Sequence, residues 1–210
     1  MADKIFNCPG CGAFNTAVLE NTTLLVCKNC CGIVFENVDS GIKPVPARVP
    51  ADWSFVQLNT TGEYDGNTFT VVGRVRLQLR NDYKNFWCCV LKNGKSLWMM
   101  ESFASFAVFI PDWIAYNKGI SHLHADASIR VRNLNLRGEY VEKCESVSYE
   151  GEIAHWKLFS PGFFFVQASR SEDDTAAFVV EKGEIECMLG KKVDVQKLNL
   201  KNIIAWNEWK

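Results

Sequence analysis

The sequence predicts an all-β protein in which a small cysteine-rich module precedes two β-rich units. Three observations support this prediction. Two Cys-x2-Cys pairs lie near the N-terminus, three prolines follow them within seven residues, and the rest of the chain alternates apolar and polar residues with a period of two. Turn-forming residues recur about every ten positions, which favours a sandwich or barrel over alternating strands and helices. We therefore predict two tandem, small antiparallel barrel or sandwich units after the cysteine-rich module.

The cysteine-rich module spans residues 1–37 and has the spacing of a four-thiolate zinc ribbon. Cys8 and Cys11 form the first pair, and Cys27 and Cys30 form the second. Each pair makes one tight turn that directs two sulfurs into the same tetrahedral site. We predict one structural zinc ion held by these four cysteines, because four protein ligands leave no position open for a substrate or water.

Cys31 is an alternative to Cys30 as the fourth ligand. In the first pair a glycine, Gly12, directly follows the second cysteine, and in the second pair Gly32 follows Cys31. By that analogy Cys31 would bind the metal, whereas the equal Cys-x2-Cys spacing favours Cys30.

Two short apolar runs between the cysteine pairs predict a hairpin, broken at 21–23, and residues 33–35 predict a third strand. A module of this size buries too little surface to fold alone. We therefore expect zinc to supply its stability, at about 10–16 kcal/mol by analogy with zinc-finger peptides.

A linker is predicted at residues 38–50, where Pro44, Pro46 and Pro50 favour extended backbone. The first β-unit is assigned to residues 51–124. Strands are predicted at 69–80, 86–91 and 96–100, separated by turn-forming residues, and they form an antiparallel meander.

The second β-unit is assigned to residues 125–210, because motifs of the first unit recur there in the same order. Gly62-Glu63-Tyr64 is followed 76 residues later by Gly138-Glu139-Tyr140, and Gly73 is matched by Gly151. Aromatic hairpins come after these motifs in both units. The repetition predicts a tandem duplication of one small β-unit.

Charge and hydropathy exclude several classes of partner. The formal net charge is −1, and residues 1–50 carry four basic and four acidic side chains. Nucleic-acid binding requires clustered Lys and Arg, so we do not expect it here.

No stretch approaches the roughly 20 apolar residues of a membrane span, and Cys8 follows too closely on Met1 for a signal peptide. We expect a cytoplasmic protein without a transmembrane segment.

Other reactive side chains give weaker signals. His122, His124 and Asp126 alternate, so a strand would place them on one face as a weak metal or acid-base site. We favour the interpretation that they are solvent-exposed polar residues. Cys88 and Cys89 would point to opposite faces of a strand and are interpreted as buried, unreactive thiols. We therefore predict no catalytic residue.

The ribbon together with several β-segments resembles a known family. The segments are 62–75, the aromatic strand 86–91, Gly94-Lys95-Ser96-Leu97-Trp98 and Glu150-Gly151-Glu152-Ile153. They resemble the bacterial proteins that carry domain of unknown function 4178. The resemblance covers most of the chain and implies a cytoplasmic zinc-ribbon protein without an assigned activity, associated with envelope stress. The only functional residues that the resemblance implies for this chain are the four cysteines. The family usually has an acidic aromatic strand where this chain has Trp87-Cys88-Cys89-Val90.

These observations predict a non-enzymatic adaptor that binds a protein partner of unknown identity. A nucleic-acid-associated zinc ribbon is the first alternative, and an enzyme with a site near His122, His124 and Asp126 is the second.

Overall fold

The computed structural model describes residues 4–35, 49–103, 105–157, 161–170 and 173–205. Within these residues the chain is almost entirely antiparallel β-structure, which confirms the predicted all-β class. Most of the predicted linker, residues 38–48, lies outside the described residues, as does 206–210. No helix in the described part of the chain is long and apolar enough to cross a membrane.

The ribbon contains four short strands: β1 (Lys4–Asn7), β2 (Phe14–Ala17), β3 (Thr22–Val26) and β4 (Ile33–Phe35). Strand β1 pairs with β2, whereas β3 pairs with β4. The hairpin predicted between the two cysteine pairs is therefore wrong, because the flanking strands β2 and β3 pair with other strands. The predicted strand at 33–35 is confirmed.

The remaining strands lie in two successive groups. The first group comprises β5 (Thr61–Tyr64), β6 (Asn67–Leu79), β7 (Tyr83–Leu91), β8 (Ser96–Ser102), β9 (Ser105–Phe109) and the short β10 (Ile114–Ala115). The second comprises β11 (Ser128–Val131), β12 (Leu134–Ala154), β13 (Phe164–Arg170), β14 (Asp174–Glu181) and β15 (Glu184–Val193). Short 3-10 turns occur at Ile120–His122 and Val195–Leu198.

Eight of these strands form one closed antiparallel barrel. Strands β6 to β9 form one meander and β12 to β15 form another. Pairing of β9 with β15 and of β6 with β12 joins the two meanders at both seams. The closed cycle removes the free edges that an open sheet would expose.

The predicted pair of tandem barrel units is not confirmed, because both halves contribute strands to the same barrel. The matching motifs also lie on different elements: Gly62-Glu63-Tyr64 is in β5, whereas Gly138-Glu139-Tyr140 is in β12. Gly73 and Gly151 are direct partners across the β6–β12 seam, and the two aromatic hairpins, β7–β8 and β13–β14, are the second and third strands of the two meanders.

Strand β7 is buried on both faces, because further segments cover the outside of the barrel there, whereas β12 alternates buried and exposed residues over much of its length. Cys88 lies in the interior cluster, while its neighbour Cys89 packs in an outer cluster with Val56 and Leu198. Both thiols are buried, and burial raises the pKa of Cys88 to about 12. This explains why residues 86–91 of β7 are continuously apolar rather than alternating.

Strand β12 is the element that connects the barrel to the ribbon. Its residues Cys144–Gly151 pair with β6, and Glu152–Ala154 then pair with β3 of the ribbon. The change of partner occurs where Gly73 faces Gly151. A Cβ on Gly73 would lie 1.8 Å from the carbonyl oxygen of Glu152, so the close backbone approach requires glycine at this position.

Candidate metal centre

The two Cys-x2-Cys segments form equivalent turns. The amide of Gly12 donates to the carbonyl of Cys8 at 2.8 Å, and the amide of Cys31 donates to that of Cys27 at 2.9 Å. A second bond closes each turn, from Cys8 to Ala13 at 2.9 Å and from Cys27 to Gly32 at 2.8 Å. The equal spacing in the sequence therefore produces two equal turns in the structure.

These turns bring together the sulfurs of Cys8, Cys11, Cys27 and Cys30. All four lie within 4.8 Å of one another. The sulfurs of Cys8 and Cys30 are 3.6 Å apart, and those of Cys11 and Cys27 are 3.7 Å apart. Such separations are compatible with a tetrahedral thiolate site, in which metal–sulfur bonds are about 2.3 Å.

Cys31 lies outside this cluster, and the backbone shows why. It occupies the position that Gly12 holds in the first turn, and both have positive φ values, 57° for Cys31 and 72° for Gly12. The analogy between Gly12 and Gly32 is therefore wrong: Gly32 corresponds to Ala13. The Cys31 side chain is exposed.

The electrostatics of the cluster favour a bound cation. Burial opposes ionisation of Cys27, but the amides of Cys30 and Asn29 and the Asn15 side chain lower the pKa of Cys27 to about 6. At Cys30 the Gly32 amide lowers the pKa, but the neighbouring cysteine sulfurs raise it to about 12. Four adjacent thiolates cannot all ionise without a positive charge between them. The donor set therefore fits a soft divalent metal ion such as zinc.

Asn15 is a site residue that the sequence did not reveal. Its Nδ2 lies 3.5 Å from the Cys27 sulfur and donates to the Ala13 carbonyl at 3.0 Å, while its Oδ1 accepts the Lys28 amide at 3.0 Å. The side chain is 1% exposed. Asn15 therefore joins the two turns and orients one sulfur, as residues behind metal ligands commonly do. The only feature of the sequence that could have indicated this role is a polar residue at a β2 position that faces the interior.

Glu152 anchors the ribbon to the barrel. Its carboxylate accepts the amides of Val18 at 2.9 Å and Leu19 at 2.8 Å, and the Thr22 hydroxyl at 2.5 Å. Glu152 is 5% exposed, so these are buried, charge-assisted bonds. The resemblance motif at 150–153 contains this residue, but its role follows only from the structure.

The ribbon also covers one end of the barrel. Leu19 and Leu24 of the ribbon belong to the same buried cluster as the barrel interior. Trp156 belongs to the same cluster and lies 4.8 Å from Trp98, 5.1 Å from Phe86 and 5.6 Å from Trp113, measured between ring centres. We call this aromatic group (Phe86, Trp98, Trp113 and Trp156) the barrel mouth.

His122, His124 and Asp126 do not form a site. His122 ends a 3-10 turn, His124 lies in the following loop with Nδ1 at 2.8 Å from the carbonyl of Ala125, and Asp126 forms an exposed ion pair with Arg137 at 2.7 Å. The strand that would align them is absent. Within the described residues, the four-cysteine cluster is the only group of three or more His, Cys, Asp or Glu side chains close enough to hold a metal.

A second polar region lies on the outside of the barrel. Asp52 binds both Arg74 and Arg76, and Arg74 packs 4.7 Å from the centre of the Trp87 ring. A cavity of about 490 Å³ lies above it, bordered by both the barrel and Cys31. Burial raises the pKa of Glu150 at its edge, while Arg74 partly opposes the shift. The charges in this region pair with one another, which indicates a structural network.

Comparison with protein-family models, curated proteins and solved structures gave no match for this chain.

Proposed function

We propose that the protein is a non-enzymatic adaptor whose zinc ribbon, fixed on a β-barrel, binds a protein partner. The observation that carries this proposal is the cluster of four cysteine sulfurs within 4.8 Å. Zinc bound there would be held by Cys8, Cys11, Cys27 and Cys30, and it would supply structural stability. With four protein ligands, the ion has no position for a substrate.

The exposed face of the ribbon supports partner binding. Ile5 is 64% exposed and Phe14 is 77% exposed. They lie on neighbouring strands, because Ile5 pairs with Thr16 and Asn7 pairs with Phe14. This register places the two apolar side chains diagonally on one face, within reach of each other. Exposed apolar groups on a metal-stabilised hairpin suit a protein partner with an apolar groove.

The biological setting rests on the family resemblance. Membership among the bacterial proteins with domain of unknown function 4178 stays a prediction, and so do a cytoplasmic location and an association with envelope stress. The balanced charge of residues 1–50 supports a protein partner over nucleic acid.

The proposal is tested by partner capture from the native host with wild-type protein, Phe14→Ala and a matched control, Ile120→Ala. Ile120 is also exposed, at 55%, but lies far along the chain from the ribbon. We expect about one zinc ion per chain in all three proteins, and loss of the captured partner only with Phe14→Ala.

Two results would contradict the proposal. A partner retained equally by Phe14→Ala would show that the ribbon face is not the binding surface. Binding to DNA or RNA that weakens steeply with salt would favour the nucleic-acid alternative instead.

A further inference from the structure

The barrel is complete without the ribbon. Its eight strands form a closed cycle through the β6–β12 and β9–β15 seams, and none of these pairings involves residues 4–35. Within the described residues, strand pairing between the ribbon and the barrel is limited to β3 and the last three residues of β12, Glu152–Ala154, followed by one bond from the His155 amide to the carbonyl of Asn21. The hydrogen-bond pattern therefore allows the ribbon to separate while the barrel persists.

A small number of contacts holds the ribbon over the barrel mouth. They include the pairing of β3 with β12, the three bonds to the Glu152 carboxylate, the bond from the Thr23 hydroxyl to the carbonyl of Ile153 at 3.1 Å, the bond from the His155 amide to the carbonyl of Asn21 at 3.2 Å, and the packing of Leu19 and Leu24. Asn21 adds a contact to His155 at 3.0 Å. Most of these contacts come from the segment between the two cysteine turns, while Ile33, after the second turn, also packs against the interior cluster. They therefore require the ribbon to be ordered.

The metal centre controls the order of that segment. Residues 18–24 connect Cys11 to Cys27, and the ribbon has only a small core of its own, which includes Cys8 and Cys27. Such a core cannot persist when its metal leaves. Loss of the metal would therefore release Leu19, Leu24 and the donors to Glu152 together.

The barrel mouth itself has an unsatisfied polar group. The Trp98 side chain is fully buried. Within the described residues, its indole N–H has no hydrogen-bond acceptor. Opening of the mouth would let water accept this hydrogen bond, which lowers the cost of exposing the surrounding aromatic rings. The mouth is thus a better candidate for reversible exposure than a fully satisfied core.

From these four observations we infer that the ribbon is a metal-dependent lid on the barrel mouth. With zinc bound, Leu19 and Leu24 close the mouth and Glu152 fixes them in place. When zinc leaves, the lid unfolds, and the aromatic mouth becomes accessible while the barrel stays folded. This inference rests on the proposed zinc site and adds a regulatory role to it.

The test is hydrogen exchange of the full chain, with zinc and after chelation, together with binding of the dye ANS and zinc analysis. Chelation should accelerate exchange about tenfold or more in residues 18–26 and 152–156, and it should raise ANS fluorescence. Strand β14, paired on both sides in the barrel, should keep its protection. Addition of zinc should reverse these changes.

Variants separate the lid from the metal site. Glu152→Gln should keep its zinc but exchange faster at 152–154, because it weakens the anchor without touching a cysteine. Glu145→Gln, an exposed position on the same strand, should behave as wild type. If chelation leaves 152–156 protected and ANS fluorescence unchanged, or if β14 loses protection equally, the lid is excluded although the zinc site stands. A protein that binds no zinc overturns both proposals.

Discussion

The ribbon and the barrel differ in what stabilises them. Within the described residues, the separate core of the ribbon contains six buried residues, and two of these are cysteines of the metal site. The cluster that fills the barrel interior contains twenty buried residues, of which only Leu19 and Leu24 come from the ribbon, and eight strands in a closed cycle enclose it. Burial of apolar surface scales with size, so the barrel can rely on packing, whereas the ribbon would depend on the metal that we propose for its four cysteines. The comparison teaches that one chain can join, at a single strand, a barrel stabilised by its own packing and a small module whose folding would depend on a bound metal.

The largest expected effect is removal of a metal ligand. Cys27→Ser should abolish zinc binding, a contribution of about 10–16 kcal/mol in zinc-finger peptides, and should unfold residues 4–35. The barrel should stay folded, since its strand cycle does not include the ribbon. Two-dimensional NMR spectra should show loss of dispersed signals from the ribbon alone. Collapse of all dispersed signals would mean that the barrel depends on the metal too.

A smaller effect is expected at the barrel mouth. Trp156 is 3% exposed and packs against Phe86, Trp98 and Trp113. Trp156→Ala should lower the free energy of unfolding of the barrel by about 3–5 kcal/mol, through lost packing and a cavity. Denaturant unfolding measures this change. Zinc content should be unaffected, because Trp156 and the buried zinc cysteines belong to separate clusters. Reduced zinc binding would contradict the separation of the two regions.

The junction between the two regions should be sensitive to a single methyl group. Gly151 has a φ of 67°, and a Cβ there would lie 2.3 Å from the carbonyl oxygen of Val72. We expect Gly151→Ala to lower the free energy of unfolding by about 3 kcal/mol, because backbone strain and a backbone clash combine. Gly66→Ala is the matched control: its φ is 71°, but no atom lies within 4 Å of the added Cβ. It should cost about 1 kcal/mol. Equal losses of stability in the two variants, measured by thermal unfolding, would show that the junction is not tightly packed.

The smallest effect concerns pH and the barrel alone. Burial raises the pKa of Glu101, although Ser54, Trp87 and Asn85 all donate to its Oε2 and partly oppose the shift. The folded state therefore keeps the proton to a higher pH than the unfolded chain. Stability should fall as the pH rises from the ordinary carboxyl range, about 4.3, through the raised pKa.

Glu101→Gln should reduce this fall to the part contributed by Glu150, whose pKa is also raised by burial, because the amide oxygen can accept the same donors without ionising. The test is to measure the free energy of unfolding of both proteins between pH 4 and 7, a range that begins near the ordinary carboxyl pKa of about 4.3. An identical pH dependence in both proteins would assign the fall to another group. Zinc content at neutral pH should not differ between them.

Local patterns predicted the local structure well. The four clustered cysteines, the strands at 33–35 and 96–100, and the aromatic hairpin of β13 and β14 follow from spacing and period-two alternation. The choice between Cys30 and Cys31 needed backbone geometry, because Cys31 adopts the positive φ that a glycine would usually provide. A side chain in that conformation is uncommon and gives no signal in the sequence.

Long-range pairing was the part that the sequence could not specify. Two tandem units and one shared barrel contain the same strands, and they differ only in the seams β9–β15 and β6–β12. The role of Glu152 is hidden for the same reason, since its hydrogen-bond partners lie more than 100 positions away. Asn15 was missed because a single buried polar residue in a short strand resembles a surface position.

The most direct test of the account is zinc content per chain in the wild-type protein, Cys30→Ser and Cys31→Ser. We predict about one zinc ion in the wild type and in Cys31→Ser, and loss of zinc in Cys30→Ser, because only Cys30 lies with the other three sulfurs. A wild-type protein without zinc would contradict the account. So would the reverse pattern, in which Cys31→Ser loses the ion and Cys30→Ser retains it.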